Sequence, residues 1–384
     1  MIIGVNTLMS TLKESKDMME MKDSLQNYLL KVVDNEEESE EQNNDKKIKT
    51  YIIESNISDP EKVAHFPKYS AIKSTDNKNL NIIHLPDIQL KRGHREKQLI
   101  YLDSSDPRFW LLHTNIGSKK MQTFVNEFIL TNNSQLDFSW FASNFLENDC
   151  SIGRGEGFGL KYQNSFLSDG NPVDEEPLRR FSMLFWGGRP NDVLNGLKGN
   201  EGLVSGVSLS RVKQIFTTED GYVKENISRD GKFTLTKGNS IDSHLLAVDK
   251  VKMQYESIIQ TIENDYRINF TNTENGYSLK GTYSVIRLKK KIDNLDIFLD
   301  HLLSGNKPFR IFGLRNTVTS NFVSVFAIDL HTNHKFNMEI TPESIRVYLY
   351  KNSCGNVLTR LMTNLQQFYD SQILLMGCDD EQLI

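Results

Sequence analysis

The sequence predicts an α+β protein with mixed or antiparallel sheets, helices packed on one face, and an N-terminal helix on an acidic linker. Three observations predict this class. Apolar runs at 98–102 and 109–113 flank a short turn, which indicates a strand–loop–strand unit. Helical spacing of apolar residues follows directly at 119–130. Asp-Gly pairs at 220–221 and 230–231 mark two tight hairpin turns.

The N-terminal segment, residues 1–34, is predicted to be an amphipathic helix with its periodicity over 6–33. Its apolar seam consists of Met18, Met21, Leu25, Tyr28 and Val32. Residues 35–47 are polar throughout, and six of the thirteen are acidic, which is typical of a disordered linker. A helix on such a tether packs either on its own domain or on another chain. We predict that the seam binds a protein partner or a second copy of this chain.

Two α+β domains are predicted after the linker, at 48–239 and 240–384. In the first, the remaining elements are a strand at 181–186, a helix at 191–197, and strands at 203–209 and 233–236. In the second, Asn239 is the expected cap of the first helix, with an acidic residue three positions later. Its expected elements are helices at 241–262, 295–303 and 357–375, and strands at 266–270, 277–287, 308–314, 322–330, 335–340 and 345–350.

The composition excludes several classes of protein. Apolar residues make up 38% of the chain and aromatic residues 10%, which excludes a wholly disordered chain. No run approaches the roughly 18 consecutive apolar residues of a membrane span, and the N-terminus lacks the features of a secretory signal. The three cysteines form no CxxC pair, so a disulfide framework or structural zinc site is not expected. We therefore expect a cytoplasmic protein without membrane attachment, cofactor or bound metal.

The net charge of −5 is distributed unevenly. Residues 1–48 hold six basic and eleven acidic side chains, and subtraction from the 45 and 50 of the whole chain leaves 39 of each in 49–384. The acidic excess therefore belongs to the N-terminal segment, and the rest of the chain is neutral. A neutral body does not repel nucleic acid, but it has no general affinity for it. Local basic clusters then decide whether phosphate can bind.

A metal-dependent hydrolase or nuclease is the first alternative. Asp103 and Asp106 share one loop with Arg108, and such carboxylates can bind Mg²⁺ or act as an acid/base pair. Three further metal-competent side chains surround the turn at 329–334, namely those of Asp329, His331 and His334. Both sets are also ordinary turn residues. The second set offers no identifiable fourth ligand nearby.

Glycines occupy every second position of the segment 153–159. Such a segment lets backbone N–H groups approach a phosphate. Its spacing matches neither the Walker A motif nor the dinucleotide fingerprint, and Leu160-Lys161-Tyr162 after it indicates a strand rather than a helix. A loop or an irregular strand entry is therefore the expectation here.

Basic clusters interleaved with aromatic residues suit phosphate neutralisation and base stacking. The predicted nucleic-acid-binding residues are Lys91, Arg92, Arg95, Arg287, Lys289, Lys290, Lys291, Lys307, Arg310 and Arg315. We expect a non-enzymatic accessory subunit of a multi-protein assembly that contacts DNA or RNA. The Lys-, Asn- and Ile-rich composition is typical of AT-rich prokaryotic genomes, and a prokaryotic antiviral defence system is the expected context. A structural homo-oligomer, joined through the N-terminal seam, is the second alternative.

Overall fold

The computed structural model describes residues 12–34, 47–68, 70–89, 95–166, 178–273 and 276–384. The first part of the chain forms α1 (Met18–Asp34), β1 (Lys49–Ser55), β2 (Ala71–Ser74), β3 (Leu80–Gln89), β4 (Arg95–Asp103), β5 (Phe109–Thr114), α2 (Ser118–Thr131), β6 (Leu136–Phe138), α3 (Ser143–Asn148), β7 (Arg154–Gln163), β8 (Arg180–Trp186), α4 (Pro190–Lys198), β9 (Leu209–Thr218), β10 (Gly221–Ser228), β11 (Lys232–Gly238) and α5 (Ile241–Asp265). The rest forms β12 (Arg267–Thr273), β13 (Gly276–Lys280), β14 (Ser284–Arg287), α6 (Leu295–Leu302), β15 (Ile311–Thr319), β16 (Phe322–Asp329), β17 (Lys335–Ile340), β18 (Ser344–Tyr350), α7 (Asn356–Phe368) and β19 (Leu374–Met376). Antiparallel and mixed sheets with helices confirm the predicted α+β class.

The chain divides into two compact units that interleave along the sequence. Unit 1 comprises Met1–Phe138, Ile215–Asn226 and Lys232–Asp249, and unit 2 comprises Ser139–Gln214, Ile227–Gly231 and Lys250–Ile384. The domain boundary predicted near residue 240 therefore lies inside unit 1. Each unit is described separately below.

Unit 1 is built on antiparallel strands in the order β2-β3-β4-β5-β1-β11-β10, with β6 also pairing with β1. Every residue of β1 is buried, because β5 and β11 pair with its two edges and both of its faces are covered. Helix α2 buries Phe124, Phe128 and the other apolar residues of one stripe. They pack with Trp110 and Ile53 of the strands in one continuous core.

The predicted N-terminal helix is present, but it begins at Met18 rather than at residue 6 among the described residues. The Asp17 carboxylate accepts hydrogen bonds from the backbone N–H groups of Met19 and Glu20, both at 2.9 Å. An aspartate in this position ends the extended segment and starts the helix. The predicted linker at 35–47 lies outside the described residues except for its last position.

Helix α1 packs within unit 1 through the predicted seam. Met21, Leu25 and Tyr28 are buried, and the side chain of Val32 lies outside the described residues. Gln26 fixes the helix by donating to the carbonyl of Asn239 at 2.9 Å and accepting from a backbone N–H of α5 at 2.7 Å. The three buried seam residues are therefore unavailable to a second chain in this conformation. Within-chain packing is the arrangement that the structure shows.

Unit 2 contains the sheet β13-β12-β18-β17-β16-β15, to which β14 adds by pairing with β18 and β19. All of its pairs are antiparallel except β12 with β18. Helix α7 is buried on every side over 356–367, including polar residues. Gln366 shows how these are satisfied, since its amide bonds the N–H of Ser143 at 2.7 Å and the carbonyl of Ile373 at 3.0 Å.

Three predicted elements differ in the structure. The strand expected at 203–209 is a 3₁₀ turn at Val204–Gly206, and β9 begins only at Leu209. The single strand expected at 277–287 is two strands separated near Gly281, whose φ of 81° suits glycine. The closing helix stops at Phe368, and β19 follows it. The breaks fall at turn-forming residues, at Ser205-Gly206, at Gly281 and at Asp370-Ser371, which apolar spacing alone does not reveal.

No helix among the described residues combines the length and apolar character that crossing a membrane requires.

Candidate functional site

The first predicted basic cluster falls largely outside the described residues. Lys91 and Arg92 lie outside them, and of Arg95 the structure describes the backbone, in β4, but not the side chain. Nothing in the described part of the chain therefore tests this cluster as a phosphate site.

The second predicted cluster, at the end of β14, is largely neutralised by acidic neighbours. Arg287 contacts the Asp380 carboxylate at 2.5 Å, and Lys291 forms an ion pair with Glu343. The Glu343 hydrogen bond and charge raise the pKa of Lys291. Lys290 lies over the Tyr369 ring, 5.2 Å from its centroid, and burial lowers its pKa.

Lys289 of the same cluster is exposed, but its backbone is fixed. Its N–H donates to the Asp370 carboxylate at 2.9 Å, and the N–H of Lys290 donates to the same oxygen at the same distance. The loop is thus held against unit 2 by a buried acid, and most of its positive charge has a partner. The clustering of these lysines in sequence does not produce a free cationic patch.

The third cluster is dispersed. Arg315 forms ion pairs with Asp296 and Asp300, and Arg310 is half-buried, with its guanidinium 3.0 Å from Nδ1 of His331. Lys307 is exposed. The charge of Arg315 is therefore balanced by carboxylates, and the guanidinium of Arg310 is held by hydrogen bonds within the chain.

The carboxylate of Asp329 is a structural centre of unit 2. It is fully buried and forms an ion pair with Arg360, and its second oxygen accepts a hydrogen bond from the Thr332 hydroxyl at 2.6 Å. Burial alone would raise its pKa, but the Arg360 charge and the hydrogen bonds outweigh burial and lower the pKa to about 2. Its oxygens are therefore occupied by protein donors rather than open to a metal.

The loop acids Asp103 and Asp106 cap turns. Asp103 accepts the backbone N–H of Ser105 at 2.8 Å, and Asp106 accepts those of Arg108 and Phe109 at 2.8 and 3.1 Å. Among the residues that the structure describes, no group of three or more His, Cys, Asp or Glu side chains is placed to hold a metal ion. The hydrolase alternative thus finds no support in either predicted residue set.

The glycine-rich segment forms the first half of β7, so the expected loop is a regular strand. In the pairing with β8, Gly157 is opposite Trp186 and Gly159 is opposite Leu184. Directly opposite residues of an antiparallel pair share one face. The alternate glycines therefore leave one face of the first half of β7 without side chains.

Large side chains of the neighbouring strands fill the space above these glycines. A Cβ on Gly157 would collide with the Trp186 ring and with the carbonyl oxygen of Phe185. A Cβ on Gly159 would lie 2.7 Å from the Arg211 side chain and 3.0 Å from that of Leu184. Only glycine permits this close approach. The glycine spacing thus positions one aromatic, one aliphatic and one cationic side chain on the same face.

We call this surface the Trp186 face. It consists of Gly157, Gly159, Lys161, Arg180, Ser182, Leu184, Trp186, Arg211 and Lys213. Trp186 is 44% exposed and Leu184 is 60% exposed. The opposite face of the β7–β8 hairpin is apolar, and there Phe158 stacks on Phe185 with ring centroids 5.5 Å apart. The Trp186 ring, on the other face, is instead partly exposed to solvent.

Four cations lie on the Trp186 face, at Lys161, Arg180, Arg211 and Lys213. The Lys213 ammonium lies over the Trp186 ring, 5.3 Å from its centroid. None of the four forms a salt bridge with another residue in the described ranges. The Arg211 Nε is even buried without a hydrogen-bond acceptor there. Among the described residues, this face thus holds four cations without an ion pair, whereas Arg287, Lys291 and Arg315 of the predicted clusters each have a carboxylate partner.

Gly157→Ala is expected to lower the free energy of unfolding by about 1–3 kcal/mol, the usual range for overpacking. The new methyl group has no room, so the indole of Trp186 must move outward and its emission should shift to the red. Gly188→Ala is the matched control, because a Cβ there meets nothing within 4 Å. Urea unfolding followed by tryptophan fluorescence measures both effects. Equal stability of the two variants would contradict the close packing described here.

None of the residues predicted to bind nucleic acid lies on the Trp186 face. One feature of the sequence could have indicated this face, namely the glycines at every second position. This spacing matches the side-chain period of a strand, so the glycines lie on one face of it. The cations of this face are separated along the chain, at 161, 180, 211 and 213, so no local cluster identifies them. Strand pairing alone brings them together.

Comparison with known proteins identifies relatives over nearly the whole chain. The family model described as "MJECL33-like protein" matches residues 9–384. A curated relative, "Uncharacterized protein MJECL33" of Methanocaldococcus jannaschii, is 30% identical over 365 residues, which cover 85% of this chain and 86% of that protein. On the strength of both matches, this chain belongs to the MJECL33-like protein family.

Proposed function

We propose that this protein is a non-enzymatic accessory subunit that binds nucleic acid through the Trp186 face. One observation carries the proposal: four cations without a described carboxylate partner share a sheet face with an exposed tryptophan. Phosphate groups attract such cations and release counterions on binding. An exposed aromatic ring beside them supplies a stacking partner for a base.

The pairing of the charges decides between the available surfaces. Arg287, Lys291 and Arg315 have carboxylate partners within hydrogen-bonding distance, so a phosphate would have to displace an existing ion pair. Cations of the Trp186 face need no such exchange within the described ranges. Nucleic acid therefore remains the proposed ligand, and the Trp186 face replaces the predicted basic clusters as its proposed site.

A salt titration tests the proposal. Oligonucleotide affinity is measured at several salt concentrations for the protein and for a variant with Lys161, Arg180, Arg211 and Lys213 replaced by Ala. Each lost phosphate contact reduces the slope of log affinity against log salt by about 0.7–0.9. Four contacts therefore predict a slope smaller by about 3 and a large loss of affinity at low salt.

The matched control replaces three paired cations instead. Arg287→Ala, Lys291→Ala and Arg315→Ala together remove three positive charges, but these charges already have partners. We expect the control to retain most of the affinity and of the salt slope. A control that loses as much affinity as the Trp186-face variant would refute the location. Absence of salt-dependent binding in the unmodified protein would refute the function.

The wider role is part of the same proposal. A cytoplasmic location, a protein partner and a place in a prokaryotic antiviral assembly are predictions from the sequence, supported by its composition. Phage infection of host cells that carry the gene, or its four-alanine variant, tests that role. Equal infection with and without the gene would count against it.

A further inference from the structure

We infer that the Trp186 face selects single-stranded nucleic acid, with a base stacking on the indole of Trp186. This inference rests on the proposed function and adds the ligand class. Three features support it: the position of the indole over Gly157, its contact with Lys213, and the arrangement of the neighbouring side chains on β8.

The indole of Trp186 packs on the backbone of β7 at Gly157. Its six-membered ring lies over Gly157 so closely that a single added carbon would collide with Cε3 and Cζ3. The ring is therefore held against the backbone of β7, while 44% of the residue stays exposed. A partly exposed ring held in this way is a stacking platform whose own position need not change when a base binds.

The Lys213 ammonium is the present neighbour of this ring. An exposed cation–π contact is worth only about a 2- to 5-fold preference. Stacking of a base on an aromatic side chain is worth about 5- to 150-fold in affinity. A base therefore displaces the flexible lysine, and the displaced ammonium stays close enough to meet the phosphate of the same nucleotide.

A duplex cannot use this platform. Its bases are stacked on one another, and presenting the face of one base requires extrusion from the helix, which consumes stacking and pairing energy. A single strand offers unstacked bases without that cost. The platform therefore favours single strands, whereas the cations alone would bind the phosphates of either form.

The side chains along β8 continue the same layout. Trp186, Leu184, Ser182 and Arg180 point to one face, and the strand rise places the first and last about 20 Å apart. Leu184 is 60% exposed beside the ring, and Lys161 lies opposite Ser182. An extended strand laid along β8 would meet apolar surface for its bases at one end and cations for its phosphates at the other.

The experiment compares labelled 12-nucleotide single strands, DNA and RNA, with a duplex of the same sequence by fluorescence anisotropy. We expect the unmodified protein to bind single strands at least 10-fold more tightly than the duplex. Trp186→Ala should weaken single-strand binding about 5- to 150-fold and leave duplex binding unchanged. Trp186→Phe keeps a stacking ring and should retain most of the affinity, which separates lost stacking from misfolding.

Tyr277→Ala is the matched control, since Tyr277 is an exposed aromatic residue on β13 and should not affect binding. Equal weakening of single-strand and duplex binding by Trp186→Ala, or tighter duplex binding by the unmodified protein, would overturn this inference and leave the proposed function intact. No binding of either form would instead overturn the proposed function. Binding of an apolar peptide that oligonucleotides do not displace would assign the face to a protein ligand and also overturn the inference.

Discussion

Arg360→Met is expected to lower the free energy of unfolding by about 3–5 kcal/mol, the usual cost of removing one partner of a buried ion pair. The variant leaves the Asp329 carboxylate buried without its cation, because both side chains are almost fully buried in unit 2. Methionine is chosen since it keeps most of the side-chain length. Urea unfolding at pH 7 measures the loss.

An exposed ion pair provides the matched control. Arg346 contacts the Glu339 carboxylate at 3.4 Å, and Arg346 is about half exposed. Exposed pairs contribute about 0–1 kcal/mol, so Arg346→Met should cost no more than that. If Arg360→Met costs as little as Arg346→Met, the buried pair does not have the role assigned to it here.

The same variant should change the response to acid. The pKa of Asp329 is about 2 in the folded protein, below its ordinary value of 3.8. The ionised carboxylate therefore stabilises the fold at pH values above 3.8, and this stabilisation is lost as the pH falls towards 2. Without Arg360, burial dominates and raises this pKa. The stability gap between the variant and the unmodified protein should therefore narrow between pH 7 and pH 4.

Acidification below pH 6.5 should lower the free energy of unfolding of unit 1 because of His113. In the pH range where only the unfolded state binds a proton at this residue, the loss should be about 1.4 kcal/mol for each pH unit. Complete burial and the charge of His244 lower the pKa of His113 to about 3. A histidine with a lowered pKa stabilises the fold above its ordinary pKa of 6.5, and this contribution is lost as the pH falls towards 3.

The surroundings of His113 explain why the folded protein resists protonation. Its Nδ1 lies 2.9 Å from the Thr50 hydroxyl, and that hydroxyl lies 2.7 Å from Nε2 of His244. Nδ1 of His244 lies 2.6 Å from the Glu225 carboxylate. Nε2 of His113 is buried without a partner among the described residues, so a proton added there finds no acceptor.

His113→Asn tests this assignment. Asparagine can keep the hydrogen bond to Thr50 but cannot be protonated in this range. Between pH 6 and pH 4, the free energy of unfolding of the variant should therefore fall less steeply with pH, by about 1.4 kcal/mol per pH unit, than that of the unmodified protein. Urea unfolding at each pH measures both slopes. His65→Asn is the control, because His65 lies at the surface, away from this network. An unchanged pH dependence in His113→Asn would contradict the role of His113.

Amphipathic helices and hairpin turns were the predictable part of the fold. Helix α2 spans Ser118–Thr131 against the expected 119–130, and the strand pairs joined at 220–221 and 230–231 are present. These elements depend on periodicity and turn chemistry within a few residues. Strand β1, in contrast, is buried on both faces and shows no alternation, so its central place in unit 1 was not recognised.

The grouping of residues on the Trp186 face could not be predicted from the sequence, for a physical reason. A basic cluster in the sequence is available to a ligand only if its charges stay unpaired in the fold. Lys291 and Glu343 are far apart in the chain, but the fold brings them together as an ion pair. Arg287 and Lys291 of this cluster are paired in the fold, and the role of the cluster as a phosphate site stays a prediction. Arg180 and Arg211 are isolated in the sequence, but both reach the Trp186 face through strand pairing.

By itself, the sequence determined the α+β class, the hairpin turns, the stripe of α2 and the concentration of acidic residues before residue 49, because each depends on neighbours in the chain. Tertiary structure alone decided which cations are paired, where the seam of α1 packs, and what the alternate glycines at 155, 157 and 159 accommodate. Pairing and burial depend on contacts between distant residues. The electrostatic character of a side chain is a property of those contacts and not of its position in the chain.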